Sequence, residues 1–455
     1  MAAQGKVFRT KGIQAGSILY WLAAGLAGVL SLAAALLAVL GPRPDANAIA
    51  RRSPGEESAA RAERIAFFEA RAEGDPFDTV ALNVLTSEYL IRARETGDIG
   101  DYKRALNAAD RSVDILPLYY SSLLAAANAH NAVHDFAGGL AFAIRAIEAR
   151  PAQGAGYALR GDPLLALGRY DEAGFDYQKS LALDPGFGAF SRLANLAFLE
   201  GDGRNAEDFW SQAVSVSRTQ SVENEAWARV QLGLLHFERG ELKKAEAEAG
   251  RALKVYPNYP HALALKARIA AARADYGAAI ADYEAVVARQ PLIDYVAALG
   301  DTYLAAGLAD AAESQFALVE AIDRLYRANG VNTDLSLSLY YAGHDRNLDR
   351  ALALARNAYD AAPGVYAADA LAWALLKNEQ PREASRYSDE AMRLGTPDVS
   401  LLYHAGMVQK ALGNDPRALD LLERAMSTNP YFSTLQVPVA TAAIAQLRAA
   451  ARAGR

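Results

Sequence analysis

Small residues and prolines recur along most of the chain at a nearly constant distance. Pro257 and Pro291 lie 34 residues apart, and alanine-rich helical runs such as residues 226–233 alternate with turn residues such as Gly240. Each period therefore predicts two helices, with a small residue where they cross and a proline that ends the second helix. Seven pairs keep a spacing of 12 residues: Ala105/Pro117, Gly139/Pro151, Ala173/Pro185, Ala245/Pro257, Ala279/Pro291, Ala351/Pro363 and Ala418/Pro430.

The same period continues in units where the small residue and the proline are not 12 residues apart. Ala384 and Pro397 miss the spacing by one residue. Two further units lack the proline but keep a small residue at the crossing and a large one beside it, as Trp210 and Phe316 indicate. Together these marks predict about ten units, beginning near residues 86, 120, 154, 187, 226, 260, 293, 332, 365 and 399.

This pattern resembles the tetratricopeptide repeat (TPR), a helical hairpin of about 34 residues. The resemblance implies an all-α fold, a right-handed α-α superhelix in which each hairpin buries its apolar face against its neighbours. Its concave surface would be lined mainly by the first, or A, helix of each unit. With its N-terminal apolar segment, the chain is also similar to membrane-anchored bacterial TPR-containing proteins.

The N-terminal part of the chain lies outside the repeat. A short basic tail at residues 1–16 precedes an uncharged run whose apolar part spans residues 18–40. At about 1.5 Å per residue, this run is long enough to cross a hydrocarbon core of about 30 Å. We therefore predict a transmembrane anchor at residues 17–41. A cleaved signal peptide with its processing site at residues 46–48 is the alternative, although its apolar region would be unusually long.

The charges around the predicted anchor indicate its orientation only weakly. Three basic residues lie on each side of it. A short basic tail before a first membrane helix usually stays in the cytoplasm. We expect a single-pass protein of the inner (cytoplasmic) membrane with the TPR array on the periplasmic side, and an array that faces the cytoplasm is the alternative.

The remaining chain divides into four predicted parts. A linker at residues 42–57 is followed by an N-terminal capping helix at 58–76, the TPR array at 77–430 and a C-terminal solvating helix at 431–455.

Composition and motifs argue against a catalytic function and against nucleic-acid binding. The net charge is −6 with acids and bases interspersed, which does not suit a nucleic-acid surface. The chain has no cysteine, so disulfides, thiolate metal sites and cysteine nucleophiles are excluded. Nucleotide-binding and hydrolase motifs are absent from the sequence. We expect no enzyme activity, no cofactor and no small-molecule substrate.

One pair of histidines has the spacing of metal ligands. His130 and His134 are four residues apart, so they share one face of a helix. A zinc protease of this kind has glutamate directly after the first histidine, and Asn131 stands there instead. We interpret His130 as a packing residue and His134 as a turn residue, with a metal-dependent enzyme as the less favoured alternative.

The repeat register indicates which side chains face the concave groove. TPR domains that clamp a C-terminal carboxylate place lysine and asparagine there in adjacent repeats, and this chain does not. We expect an extended or helical protein segment with apolar anchors and basic groups as the occupant. The alternative is that the next repeat partly buries the aromatic members. The candidate groove residues are Asp162, Asn195, Trp227, His261, Arg268, Asp301, Tyr340, Asp369, Trp373, Tyr403 and Met407.

These features predict a membrane-tethered TPR scaffold or adaptor that binds another protein through its concave surface. The similarity to anchored bacterial TPR proteins implies a role in assembly or biogenesis of a cell-envelope complex. A cytoplasm-facing adaptor is the alternative function. The sequence does not name the partner.

Overall fold

The computed structural model describes residues 52–453, and this part of the chain consists of 22 α-helices joined by turns, with no β-strand. A first helix, α1 (Pro54–Gly74), and a last one, α22 (Gln436–Ala453), flank ten helix pairs. The A helices are α2 (Thr79–Thr96), α4 (Tyr120–Ala132), α6 (Gly154–Ala166), α8 (Phe187–Leu199), α10 (Val222–Glu238), α12 (Pro260–Ala272), α14 (Ile293–Ala305), α16 (Asp334–Gly343), α18 (Val365–Lys377) and α20 (Val399–Ala411). The B helices are α3 (Ile99–Ile115), α5 (Phe136–Ala149), α7 (Tyr170–Leu183), α9 (Gly203–Ser217), α11 (Leu242–Val255), α13 (Tyr276–Val287), α15 (Ala309–Ala328), α17 (Leu348–Ala361), α19 (Pro381–Ala391) and α21 (Asp415–Thr428).

The predicted all-α helix-turn-helix array is confirmed, and the recurring small residues lie where the two helices of a unit cross. The alanines that mark the repeat in six units, such as Ala105 and Ala245, are fully buried. At two crossings where the A helix has glycine, Gly161 and Gly300, the facing aromatic ring occupies the space that a side chain would need. A Cβ added to Gly300 would lie 2.4 Å from Cε1 of Phe316. The small residue and the large ring are therefore complementary parts of one contact.

The turn between A and B helices uses a left-handed backbone conformation in all ten units. Each turn holds a residue with positive φ, and in several units the following aspartate caps the B helix. Asp135, for example, accepts a hydrogen bond from the Gly138 amide at 3.0 Å. Glycine adopts positive φ without a steric penalty, which explains why it fills most of these turns. The turn residues include Gly97, His134, Gly168, Gly201, Gly240, Ala274, Gly307, Glu379 and Gly413.

The two flanking helices close the ends of the array. Helix α1 begins with a capping box, in which Ser53 and Glu56 hydrogen-bond to each other's backbone amides. It packs on α2 through Ile65, while Arg61 forms ion pairs with Glu88 and Glu95 at 2.8 and 2.9 Å. No helix among residues 52–453 is long and apolar enough to cross a membrane. The predicted anchor at residues 17–41 lies outside the described residues.

Successive turns of the superhelix contact each other, which the sequence did not predict. The A–B turn of each of the first five units meets the loop that follows the unit five places further along the chain. We call this line of contacts the seam. Its hydrogen bonds run from the Gln290 side chain to Arg94 O (3.0 Å), from His134 Nδ1 to Asn332 O (3.0 Å), from Val365 N to Tyr170 Oη (2.8 Å), from Arg393 to Gly168 O (3.2 Å), from Thr396 Oγ1 to Leu199 O (2.5 Å) and from Asn429 Nδ2 to Phe237 O (2.8 Å).

Candidate functional site

The inner, concave side of the array forms a chain of cavities, and two of them are lined by residues of both superhelical turns. We call this space the lumen. Four cavities compose it, which we name the N-terminal, junction, central and end cavities, with volumes of about 970, 410, 490 and 670 Å³. The first two share Phe187 and Arg192, and the junction and central cavities share Trp227 and His261. The central and end cavities are linked by an ion pair between Asp301 and His344 at 2.6 Å.

The central cavity lies between the two superhelical turns. Its walls come from three successive A helices, α10, α12 and α14, and include Trp227, Leu234 and Tyr295. Its floor is the loop after the tenth unit, residues 431–434. The loop lies one superhelical turn further along the chain, so this cavity exists only because the turns meet.

Most of the polar groups in the central cavity are already paired. Arg268 forms an ion pair with Glu238 at 3.0 Å and lies over the ring of Phe237, 4.2 Å from its centroid. Burial lowers the pKa of His261 to about 4, so this imidazole is neutral at pH 7. His261 Nδ1 accepts a hydrogen bond from the Tyr295 hydroxyl. These groups are held by one another and are not free to bind an occupant.

Asp294 is the exception in this cavity. It lies in the first turn of α14, and no hydrogen bond or ion pair connects it to another described residue. Asp294 is exposed to solvent, and the protein atoms around it raise its pKa by partial desolvation. Asp294 was not among the predicted groove residues, although the sequence held a signal. It stands six residues before the small residue Gly300. Trp227 and His261 stand at the same distance before Gly233 and Ala267.

The end cavity lies nearer the C-terminal end of the array. It is formed by the ends of the later A helices together with the start of α22, which contributes Leu435 and Val439. Trp373 and Tyr403 present only small parts of their surfaces to it, because each is at most 3% exposed. The ammonium group of Lys377 lies 4.9 Å from the Trp373 ring centroid and forms an ion pair with Asp345 at 2.6 Å.

The structure separates the predicted groove residues into four groups. Trp227, His261, Arg268 and Asp301 line the central cavity, and Trp373, Tyr403 and Met407 line the end cavity. Asp162 and Asn195 lie outside both, and the remaining two, Tyr340 and Asp369, are buried.

Four of these residues do not line the central or end cavity. Tyr340 is 6% exposed, packed in the core between Phe316 and Tyr341. Asp369 is 5% exposed and its carboxylate binds His404 Nδ1 at 2.8 Å, so it anchors one A helix to the next.

The other two lie elsewhere on the array. The carboxylate of Asp162 is occupied by Arg192 at 2.7 Å and by the Tyr177 hydroxyl at 3.1 Å. Asn195 is exposed and lines none of the four cavities.

A second group of acids lies where the two superhelical turns approach each other. Burial and the nearby carboxylate of Asp398 raise the pKa of Glu238 to about 7, in spite of its ion pair with Arg268. Burial also raises the pKa of Asp398, to which Tyr366 donates a hydrogen bond. The contact between turns therefore carries a carboxyl group that titrates near neutral pH.

The two histidines with metal-like spacing have structural partners. Both ring nitrogens of His130 face carboxylates, Asp110 at 3.0 Å and Asp135 at 2.6 Å. His134 is the positive-φ residue of its turn and binds Asn332 across the seam. Among residues 52–453 there is no cluster of three or more histidine, aspartate, glutamate or cysteine side chains arranged to hold a metal ion.

Sequence comparison bears on the identity of the repeat. Residues 155–187, the third unit, match the family described as Tetratricopeptide repeat. One unit of the array therefore matches the tetratricopeptide repeat, and the other helix pairs repeat its helix-turn-helix order. TPR arrays are scaffolds that bind protein partners and typically have no enzymatic activity. No curated protein sequence matches the chain.

The chain is also similar to several solved structures, of which three follow. PilW, a widely conserved type IV pilus biogenesis factor, is 18% identical, with a TM-score of 0.38 over 44% of this chain and 92% of its own. Yeast Tom70 is 15% identical, with a TM-score of 0.37 over 86% and 94%. PilF of Pseudomonas aeruginosa is 15% identical, with a TM-score of 0.37 over 45% and 91%. None of these similarities indicates what this chain binds.

Proposed function

We propose that this protein is an envelope scaffold that holds an extended segment of another protein inside its lumen. The observation that carries the proposal is the enclosure of the A-helix surface. In an open TPR array the concave face is a groove, but here the seam closes it on one side. We infer that a single extended strand of chain, and not a folded domain, reaches Trp227 and Leu234.

The walls of the lumen support a protein segment as the occupant. They combine aromatic and aliphatic surface with a few polar groups whose positions are fixed by ion pairs, which is typical of binding sites for peptides and other ligands. Trp227 is the most informative side chain, since it lines both the junction and the central cavities and packs edge-on against His261, with ring centroids 5.0 Å apart.

A photo-crosslinking experiment tests this placement. The photoreactive residue p-benzoylphenylalanine is introduced at Leu234, inside the lumen, and in a matched variant at Phe175, which is 66% exposed on a B helix. We expect a partner to be captured from membranes by the variant at Leu234 and not by the variant at Phe175. Equal capture by both would contradict binding in the lumen. Trp227→Ala should reduce capture by the variant at Leu234.

We also propose that the array is tethered to the inner membrane by residues 17–41, faces the periplasm and serves the assembly of an envelope complex. The chain has no cysteine, so a single Leu118→Cys change gives a unique label at a residue that is 81% exposed. Labelling of intact cells by a membrane-impermeant maleimide that reaches the periplasm would support this orientation. Labelling only after lysis would favour the cytoplasm-facing adaptor.

A further inference from the structure

We propose that the end cavity is a subsite for one carboxylate of the held segment, supplied by an acidic side chain or by a C-terminus. This inference rests on the proposed function and specifies the chemistry of the segment that the lumen holds. The balance of charge in the cavity carries it, together with the way its cations are held and an indole N–H that has no acceptor.

The end cavity has an excess of positive charge. Among the described residues that line it, Arg346, Lys377 and Lys410 are cationic and Asp345 is the one acid. The described lining of the central cavity has the opposite balance, with one arginine and two aspartates. A segment that follows the lumen therefore meets a change of sign between these two cavities, and the end cavity favours its negative group.

The cations reach this space from three successive units. Arg346 follows α16, Lys377 ends α18 and Lys410 lies in the last turn of α20. Aromatic rings of the cavity wall hold two of them, since the Arg346 guanidinium lies 4.7 Å from the Phe316 ring centroid and the Lys377 ammonium 4.9 Å from that of Trp373. Both charges are thus kept at the cavity wall by packing.

The acids that pair with these cations are exposed. The side chain of Lys377 is 23% exposed, whereas that of its partner Asp345 is 66% exposed. The pair of Arg346 with Glu313 shows the same difference, 35% against 58%. Ion pairs with exposed acids contribute little to stability, so a carboxylate in the cavity competes with them at small cost. Lys410 has a neutral partner, the amide oxygen of a glutamine on α22, 3.0 Å from its Nζ.

Trp373 gives independent evidence for an occupant that brings hydrogen-bond acceptors. Its side chain belongs to the cavity wall and is 3% exposed. The indole N–H can only donate, and it has no acceptor among the described residues. Because buried polar groups are nearly always paired, acceptor oxygens suit this wall better than further donors. Met407, Leu435 and Val439 add apolar surface for a side chain next to the carboxylate.

The test uses the full-length chain in detergent and a library of random 12-residue peptides displayed with free C-termini. We expect the selected peptides to be enriched in aspartate or glutamate beside apolar residues, or in apolar residues directly before the C-terminus. One selected peptide is then synthesised with its acidic side chains changed to amides, and separately with an amidated C-terminus. The change that weakens binding identifies the source of the carboxylate.

Three proteins are compared with these peptides. They are wild type, the double variant Lys377→Met with Lys410→Met, and the control Lys254→Met, which removes an exposed lysine on a B helix. We expect neutralisation of the peptide to weaken binding about tenfold on wild type and on the control, and less than about threefold on the double variant. If the double variant melts below wild type, Lys410→Met alone is compared, with an expected loss between those two values.

The comparison separates this inference from the proposed function. The same loss on all three proteins, or no loss on wild type with either neutral peptide, would overturn the subsite. If Trp227→Ala still weakens peptide binding in that case, lumen binding stands and only the subsite fails. If Trp227→Ala has no effect, or if no peptide is selected, both fail.

Discussion

Replacing Gly168 with alanine tests whether the seam is a stabilising contact. Gly168 has φ +72°, and an added Cβ would lie 2.6 Å from the carbonyl oxygen of Pro363 in the next superhelical turn. Gly307 occupies the same turn position in the seventh unit with φ +79°, and nothing lies within 4 Å of its added Cβ. Both Gly168→Ala and Gly307→Ala therefore carry the backbone strain, but only Gly168→Ala disturbs the seam.

The structure gives the expected size of each effect. Alanine at positive φ costs about 1 kcal/mol in both variants. At Gly168 the clashing atom belongs to the backbone and cannot rotate away, so the two turns must separate. Separation weakens the hydrogen bond from Val365 N to Tyr170 Oη (2.8 Å) and the one from Arg393 to Gly168 O (3.2 Å), each worth about 1 kcal/mol. We expect a total of about 2–4 kcal/mol for Gly168→Ala, against about 1 kcal/mol for Gly307→Ala.

Hydrogen exchange of the Val365 amide measures this difference locally. A repeat array need not unfold in one step, so a site-specific readout is preferable to a single melting temperature. Gly168→Ala should accelerate exchange of this amide by tenfold or more, and Gly307→Ala should leave it unchanged. If both variants lose the same stability and the Val365 amide stays protected, the seam is a passive contact and our account of it is wrong.

Three further predictions follow from buried groups. Because the pKa of Glu238 is raised to about 7 in the folded state, the folded protein holds a proton that the unfolded chain loses above its ordinary pKa near 4.5. Stability should therefore fall as pH rises from 5 to 8, and Glu238→Gln should flatten that part of the profile of melting temperature against pH. Asn429 is fully buried and bonds Phe237 O at 2.8 Å, so Asn429→Ala should cost about 1–3 kcal/mol by denaturant unfolding, whereas Asn195→Ala at an exposed site should change stability by less than about 0.5 kcal/mol. Tyr177 is 1% exposed at a helix crossing, and Tyr177→Ala should cost about 3–5 kcal/mol in the same measurement.

The repeat could be predicted from the sequence because its signals are local. A buried alanine such as Ala245 and a proline just after a B helix, such as Pro257, serve the packing and the end of a single hairpin, whatever the rest of the chain does. The first unit shows the limit of this approach. Its A helix begins at Thr79 and not near residue 86, because α2 is 18 residues long and the earlier turn carries no repeat marker.

The seam could not be predicted because it depends on distant parts of the chain. How many units complete one turn is set by small rotations at every helix interface, and no single residue records their sum. Glycines such as Gly201 carry an ambiguous signal, since the positive φ of the turn explains them equally well. Loop residues such as Gln290 and Thr396 follow no periodic pattern, although each donates a hydrogen bond across the seam.

The groove residues were predicted with mixed success for a related reason. The register shows which side of an A helix faces inward, and it placed Trp227 and His261 in the lumen. It does not show how deeply the next repeat covers a side chain. The burial of Tyr340 and Asp369 could therefore not be predicted from the register.

Disulfide trapping across the seam is the most direct test of the enclosed lumen. A Cβ added to Gly97 would lie 3.8 Å from Cβ of Gln290, the mean separation in a disulfide, and the chain has no other cysteine. We predict that Gly97→Cys with Gln290→Cys forms a disulfide rapidly on mild oxidation, seen as a mobility shift on a non-reducing gel and a loss of about 2 Da by mass spectrometry. The control pair Gly307→Cys with Gln290→Cys should not form one. If the two pairs oxidise at the same slow rate, successive turns do not meet, and the lumen does not exist in solution.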